Sequence, residues 1–193
     1  MNANVGMLYP VYAPVTAYTP GTSITYGTGG VVAEAVSASV SWNRNDGHFF
    51  GDDVELDSDN SATGYTISFE PTGLSDAVRA ALLGETLATS DYNISDAASP
   101  DVGFGYIRVM RSKGANGIET TYESWWYHKV KFSVSSEETR TKEQSIEWRV
   151  PTLEGIGAGV SLDSTGKKFF ATHRTHPTES AAKSWLNTKA GIT

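Results

Sequence analysis

Residues 126–155 read WYHKVKFSVSSEETRTKEQSIEWRVPTLEG and contain two stretches of alternating polar and apolar residues. The first stretch is 129–134 and the second is 145–150. Alternation with a period of two predicts a strand that has one buried and one solvent-facing side. The connection, 135–144, has no apolar side chain to bury. Two such strands predict a β domain whose core includes Val130, Phe132, Ile146, Trp148 and Val150.

The composition supports this prediction and limits the function. The chain has 193 residues, enough for one domain with a real core, and its 19 Gly and 7 Pro favour strands and turns. A net charge of −7 opposes general binding to nucleic acid, and the absence of Cys excludes a disulfide framework. We find no leader pattern and no apolar run of about 20 residues. We therefore expect a soluble protein made in a cytoplasm, with no membrane partner.

The periodicity predicts a mainly β protein with roughly eight strands and two short helices in one domain, 1–193. Apolar residues at helical spacing predict a helix at about 74–83, with Thr72 or Ser75 as its N-cap and Gly84 at its end. A second helix follows Pro177, with Thr178 as its cap. We divide the domain into an N-terminal arm (1–30), a β core (31–156) and a C-terminal hairpin with the second helix (157–193).

The first thirty residues are rich in Pro, Gly and Tyr and are interpreted as an arm rather than as core. Their apolar side chains are too many for a free tail. Two interpretations remain open: a meandering segment packed on its own domain, or an arm that docks on a neighbouring subunit. In the second case, Tyr9 and Tyr12 are candidate contacts between subunits.

A clean alternation at 35–43 predicts a strand with Val36, Ala38, Val40 and Trp42 on one side. The other side presents Ser37, Ser39 and Ser41. A face of small hydroxyl side chains fits open solvent, a wet channel or a close neighbour.

No motif indicates catalysis, a cofactor or a metal. The acidic run at 52–59 resembles the start of a calcium loop, but Ala62 occupies the glycine position and no Glu closes the loop. We interpret His173 and His176 as ordinary loop histidines because no cysteine is near and Pro177 follows. The chain also lacks a nucleophile elbow and a phosphate loop. We therefore expect a protein that is not an enzyme.

Two other functions remain as alternatives to a structural role. Trp125, Trp126 and Tyr127 are candidates for a carbohydrate-binding platform, although sheet core and subunit contact explain them better. The acidic run suggests a hydrolase, for which no further motif is present.

Several blocks of the sequence resemble the major tail proteins of siphophages, the long, non-contractile-tailed phages of Gram-positive bacteria. The signature blocks are Val130-Lys131-Phe132-Ser133, Ser136-Glu137-Glu138, Thr141-Lys142, Ser145-Ile146-Glu147 and Pro151-Thr152-Leu153-Glu154-Gly155. Further similar blocks are Tyr26-Gly27-Thr28, Ala35-Val36-Ser37, Gly51-Asp52-Asp53, Thr63-Gly64-Tyr65-Thr66-Ile67, Leu82-Leu83-Gly84, Gly103-Phe104-Gly105-Tyr106-Ile107-Arg108 and Ala181-Ala182-Lys183-Ser184-Trp185-Leu186. Together these blocks cover most of the chain, and the Pro- and Tyr-rich first 20 residues depart from the pattern.

This resemblance implies a β-sandwich-like barrel with a flanking helix that assembles into six-membered rings stacked as a hollow tube. The implied partners are further copies of the chain, the tape measure protein, and the tail terminator and distal tail proteins. DNA is expected to pass through without specific binding, and the implied location is the virion tail. A tube protein of a phage-related secretion system shares this architecture and remains an alternative.

Within this framework, we expect Ser37, Ser39 and Ser41 to line the lumen. The polar connection becomes the candidate contact between subunits. Its candidate residues are Glu137, Glu138, Thr139, Arg140, Thr141 and Lys142.

Overall fold

A computed structural model describes residues 2–52, 54–88, 91–114, 117–136 and 150–193. Its elements in chain order are β1 (Asn2–Thr19), β2 (Ser23–Tyr26), β3 (Gly30–Val31), β4 (Ala35–Arg44), β5 (Gly47–Gly51), β6 (Val54–Asp59), β7 (Ala62–Pro71), α1 (Asp76–Leu83), β8 (Thr86–Ala88), β9 (Asp91–Asn93), β10 (Val102–Gly114), β11 (Gly117–Ser136), β12 (Thr152–Gly157), β13 (Ala171–His176) and α2 (Glu179–Ala190).

Nine of the strands form one antiparallel sheet. Its main order is β2-β1-β10-β11-β12-β7-β4, with β13 paired to β11 and β3 paired to β1. The remaining described strands form two separate pairs, β5–β6 and β8–β9. The prediction of a mainly β fold with a large antiparallel sheet and a flanking helix is confirmed.

The long hairpin β10–β11 lies at the centre of the sheet and contains a β-bulge. Val102 pairs with Val130, but Phe104 pairs with Tyr127, so β11 has one extra residue at this point. Two backbone carbonyls at the bulge accept hydrogen bonds from tyrosines. The Tyr26 hydroxyl donates to the His128 carbonyl at 2.9 Å, and the Tyr65 hydroxyl donates to the Lys129 carbonyl at 3.1 Å. The bulge therefore leaves neither carbonyl unsatisfied.

Two hydrophobic clusters cover opposite sides of the sheet. The larger contains buried residues of α1, β7, β10, β11 and β12, and it includes Phe69, Phe104 and Phe132 in edge-to-face contact. The smaller lies between the sheet and α2 and includes Trp126 and Leu186. Residues 124–127 of β11, just before the bulge, are buried or half-buried on both sides, because α2 covers one side and the larger cluster lies on the other. Residues 131–135, after the bulge, bury one side alone.

Both predicted helices are confirmed. α1 begins at Asp76 after the N-cap Ser75 and ends at Gly84, whose φ of 74° is left-handed and suits glycine. In α2, the Thr178 side chain accepts a hydrogen bond from the Ala181 amide at 3.3 Å, as its role as a cap predicts.

The interpretation of residues 1–30 as an arm rather than core is wrong for most of this segment. Residues 2–19 form β1, which pairs with β10 along most of its length, and its Val11 and Ala13 are fully buried. The second of the two register shifts in the β1–β10 ladder, between Leu8 and Val11, accommodates Tyr9 and Pro10 in the strand. Of the two open interpretations, the structure has the segment packed on its own domain.

Other sequence boundaries also need correction. His173 and His176, interpreted as loop histidines, lie in β13, and residues 152–157, for which the alternation predicts no strand, form β12. Val150 lies outside any strand, and 145–149 lie outside the described residues. The predicted hairpin near 160–171 is reduced to one antiparallel bridge between Val160 and Phe169. The described residues form thirteen strands instead of roughly eight.

Glycines in β12 allow large side chains of neighbouring strands to lie flat on its backbone. We therefore expect a larger residue at such a glycine to destabilise the fold. A Cβ atom at Gly157 would overlap the ring of the fully buried Tyr65, whereas a Cβ at Gly73 would meet nothing within 4 Å. We expect Gly157→Ala to lower the free energy of unfolding by about 3 kcal/mol, since overpacking forces the ring to move. Gly73→Ala is the control, with an expected change of about 0.5 kcal/mol or less. Chemical denaturation measures both, and equal losses would contradict the packing argument.

Candidate functional site

A polar surface covers the side of β4, β7, β12 and the end of β11 that faces away from the larger core cluster. We name it the hydroxyl face, and its residues are Ser37, Ser39, Ser41, Thr66, Ser68, Glu70, Lys131, Ser133, Ser135, Glu154 and Ile156. The register aligns these residues in rows across the sheet. One row runs from Ser39 to Ser68, Glu154 and Ser133.

The hydroxyl groups bond sideways along the sheet, which keeps the face flat at these positions. Ser37 Oγ donates to Glu70 Oε2 at 2.8 Å, Ser133 Oγ donates to the Glu154 carbonyl at 3.3 Å, and Ser135 Oγ donates to the Thr152 carbonyl at 3.2 Å. Small side chains that bond to their neighbours do not reach into the space above the sheet. The side chains of Lys131 and Ile156, which are 53% and 67% exposed, project from the face above these serines.

The charge on the hydroxyl face is slightly negative. Its members include two carboxylates, Glu70 and Glu154, and one ammonium group, Lys131. The Lys131 ammonium lies 4.0 Å from Asp101, which also pairs with Lys129 at 3.2 Å. The two carboxylates of the face outnumber its one ammonium group, so the face has few cations to neutralise a phosphate backbone.

The structure places the predicted lumen residues Ser37, Ser39 and Ser41 together on this face, all exposed. The opposite side of β4 is packed by Ala38 and Val40 as expected. Val36 is an exception at 59% exposure, because the pairing with β7 shifts between Ala35 and Ser37. The sequence analysis did not assign the other residues of the face to the lumen, although polar and apolar residues alternate as clearly in β7 and β11 as they do in β4.

The hydroxyl face ends at two strand edges that have no partner among the described residues. On one side, β4 pairs with β7 alone. On the other side, residues 131–136 of β11 pair with β12, while β10 begins opposite Val130 and does not reach them. Unpaired edges expose rows of N–H and C=O groups that can pair with another chain.

The structure describes two of the residues predicted to contact a neighbouring subunit, Tyr9 and Tyr12. The Tyr9 hydroxyl donates to Asn187 Oδ1 at 2.9 Å, and the Lys183 ammonium lies over the Tyr9 ring. Tyr12 packs partly against the larger core cluster, and burial raises the pKa of its hydroxyl. Both tyrosines thus contact their own chain, and a contact with a neighbour stays a prediction. Residues 137–142 lie outside the described residues.

The aromatic residues do not form an open platform for a sugar. Trp126 and Tyr127 are fully buried. Trp125 is partly exposed, but His173 stacks on it at 4.6 Å and the Arg108 guanidinium lies 4.4 Å from its ring centre. Its Nε1 donates to Glu123. The three residues that suggested a carbohydrate-binding module therefore serve packing within the sheet.

The acidic run forms the β5–β6 hairpin and has local partners. Asp59 accepts hydrogen bonds from the Asn45 side chain at 2.9 Å and the Ser61 amide at 2.9 Å, which hold its pKa below the usual range. Within the described residues, no three potential metal ligands lie close enough to share an ion.

Neither described helix has the length and apolar character needed to span a bilayer.

Comparison with known proteins finds no match. No protein-family model matches the chain, and a search of curated proteins finds no similar sequence. The resemblance to siphophage tail proteins therefore remains a hypothesis.

His128, at the bulge, is a buried titratable group that sequence reasoning did not single out. Its Nε2 lies 3.0 Å from Thr172 Oγ1, and its Nδ1 lies 3.3 Å from the Tyr26 hydroxyl. The Tyr26 proton is already donated to the His128 carbonyl, so Nδ1–H is the donor to Tyr26 and Thr172 donates to Nε2. Burial first, and the nearby Lys189 second, lower the pKa of His128 to about 4. The imidazole is thus neutral at physiological pH.

This arrangement predicts that stability falls with acidification. The folded-state pKa of about 4 lies below the ordinary value of 6.5. Stability is therefore complete above pH 6.5 and is lost as pH falls toward 4, by about 3 kcal/mol in total. Urea denaturation from pH 7 to 4.5 measures the slope. His128→Gln should remove most of this slope, whereas His173→Gln, at an exposed site, should retain it. An unchanged slope in His128→Gln would contradict the prediction.

Proposed function

We propose that this chain is the major tail tube protein of a siphophage and has a structural role without catalysis. One observation supports this proposal most strongly: a polar sheet face ends in an unpaired strand edge on each side. If β4 of one copy pairs with residues 131–136 of β11 in the next copy, the hydroxyl faces of all copies join into one surface. A ring closed in this way leaves no open edge in the wall.

The strand directions are compatible with such a ring. The four strands β11, β12, β7 and β4 alternate in direction, so β4 of one copy and β11 of the next run antiparallel when the copies are related by rotation. Six copies, the number implied by the family resemblance, contribute twenty-four strands. At about 4.8 Å between strands, the circumference is about 115 Å before tilt is included. Barrels of about 16–18 strands already enclose an aqueous channel.

The electrostatics suit a conduit. The hydroxyl face has two carboxylates and one paired ammonium group, and the chain has a net charge of −7. Phosphate groups passing such a wall are repelled weakly and gain nothing from counterion release. Screening over about 8 Å at physiological salt leaves this repulsion effective close to the wall.

The proposal assigns the chain to the virion tail. Its partners are then other copies of the chain, the tape measure protein inside the tube, and the terminator and distal proteins at the two ends. A tube of a related secretion system would use the same fold, and a tape measure gene beside the coding sequence would favour the phage tail.

Cysteine cross-linking tests the proposed pairing of edges, because the natural chain has no cysteine. The variant Ser39→Cys/Ser133→Cys places one thiol near each open edge. Within one chain, three strand spacings of about 4.8 Å separate these positions, too far for a disulfide. Paired edges should yield a covalent ladder that ends at six chains on a non-reducing gel. The offset variants Ser37→Cys/Ser133→Cys and Ser41→Cys/Ser133→Cys allow for different registers.

The matched control is Ser39→Cys/Ser68→Cys, whose positions are direct neighbours within one chain. Its disulfide should form inside the monomer and give no ladder. If Ser39→Cys/Ser133→Cys and both offset variants remain uncross-linked under oxidation, and electron micrographs of the wild-type protein show no rings or tubes, the proposed function is wrong.

A further inference from the structure

The β5–β6 hairpin is an unsupported projection from the domain. Its two strands pair with each other and belong to a sheet of their own, and none of its residues whose side chains the structure describes belongs to either core cluster. Phe49 is 65% exposed and Val54 is 60% exposed. An isolated two-stranded hairpin is marginally stable in water, and exposed apolar side chains on it indicate a contact surface.

One side of this hairpin carries the apolar side chain of Phe49 together with two carboxylates. Phe49 pairs with Asp57, and Gly47 pairs with Asp59, so the three side chains of Phe49, Asp57 and Asp59 project from the same side. We name these three residues the hairpin face. Residues 46–59 include six Asp or Glu residues and no Lys or Arg. The hydrogen bonds to Asp59 keep it ionised.

A second projection has the opposite character. β10 and β11 extend beyond Tyr122, where the pairing of β11 with β13 ends, and β1 pairs with β10 as far as Asn2 and Ser112. In this extension Lys113 pairs with Ile118 and Arg111 pairs with Thr120, so Arg111, Lys113 and Ile118 share one side of the ribbon. We name these three residues the ribbon face. Ile118 is 76% exposed, and neither cation forms an ion pair within the described residues.

We propose that the hairpin face of one copy docks on the ribbon face of a second copy. Phe49 then packs against Ile118, and Asp57 and Asp59 face Arg111 and Lys113. Each face has an apolar centre with two charges beside it, and the charges are opposite in sign. The partner is a second copy because the chain itself supplies both complementary faces.

The two faces differ, so the contact is heterologous, and a docked pair retains one free hairpin face and one free ribbon face. Unless rotation closes it, such a contact propagates as an open stack. This inference rests on the proposed function in one respect: it assigns the contact to the joint between successive rings, while β4 and β11 close each ring.

Charge reversal tests the docking directly. Asp57→Lys/Asp59→Lys and Arg111→Glu/Lys113→Glu each place like charges opposite each other, and each should shorten tubes roughly tenfold in electron micrographs. The quadruple variant restores opposite charges and should recover the wild-type length. Lys167→Glu/Lys168→Glu, which makes the same change of charge at another exposed site, should leave length unchanged. Far-ultraviolet circular dichroism checks that each variant is folded.

The neutral variant Asp57→Asn/Asp59→Asn covers the case in which the reversed hairpin misfolds. It retains acceptor groups for Asn45 and Ser61, and it should shorten tubes less than the reversal does. Normal tube length in both double reversals, or failure of a folded quadruple variant to recover length, would overturn the docking proposal.

Mixing the two reversed variants separates this proposal from the proposed function. In the mixture, the native ribbon face of one variant meets the native hairpin face of the other, and the two reversed faces are also opposite in charge, so the two variants should associate as an alternating stack. Sedimentation should detect this association in the mixture and not in either variant alone, between rings if rings form and between monomers if they do not. Rings that do not associate in the mixture would overturn the docking alone. Association without rings would support the docking and contradict the tube.

Discussion

The bulge at His128 and Lys129 in β11 is the constraint on which the rest of the structure depends. Upstream of it, even-numbered side chains such as Trp126 face α2, and downstream of it, even-numbered side chains such as Phe132 face the larger core cluster. One strand can therefore be covered on both sides at residues 124–127 and present a polar side at residues 131–135. The Tyr26 and Tyr65 hydroxyls make this possible because they satisfy the bulge carbonyls from two sides of the sheet.

Aromatic rings and glycines complement each other around this centre. The ring of Tyr65 occupies the space over Gly157, and a Cβ at Gly155 would lie 2.7 Å from Val130 and Phe132. After Leu153, which is buried in the core, β12 has glycine at both remaining core-side positions, so neighbouring side chains can lie on its backbone. Its other side keeps Glu154 and Ile156 on the hydroxyl face, so close packing below and an exposed surface above are consequences of one pattern.

In the described part of the chain, two strand edges beside the hydroxyl face have no pairing strand in the monomer. Two projections also carry apolar side chains that are exposed in the monomer. A protein that functions alone usually covers or blunts such features. Their placement divides the proposed assembly into two kinds of contact. Edge pairing acts around the ring through backbone groups, whereas the hairpin and ribbon faces act along the tube through side chains. Salt should therefore weaken the second kind more than the first.

The sequence by itself determined the class of fold, the two helices with their caps, and the faces of most strands, because alternation and capping are local properties of neighbouring residues. It also indicated the serines of β4. It could not show that Pro10 and the residues around it belong to a core strand, since proline usually argues against one and a tertiary register shift was needed to accommodate it. Nor could it join Ser39, Ser68, Glu154 and Ser133 into one surface. Only the tertiary structure decided that, because the register between strands distant in sequence depends on the bulge and on packing across the whole sheet.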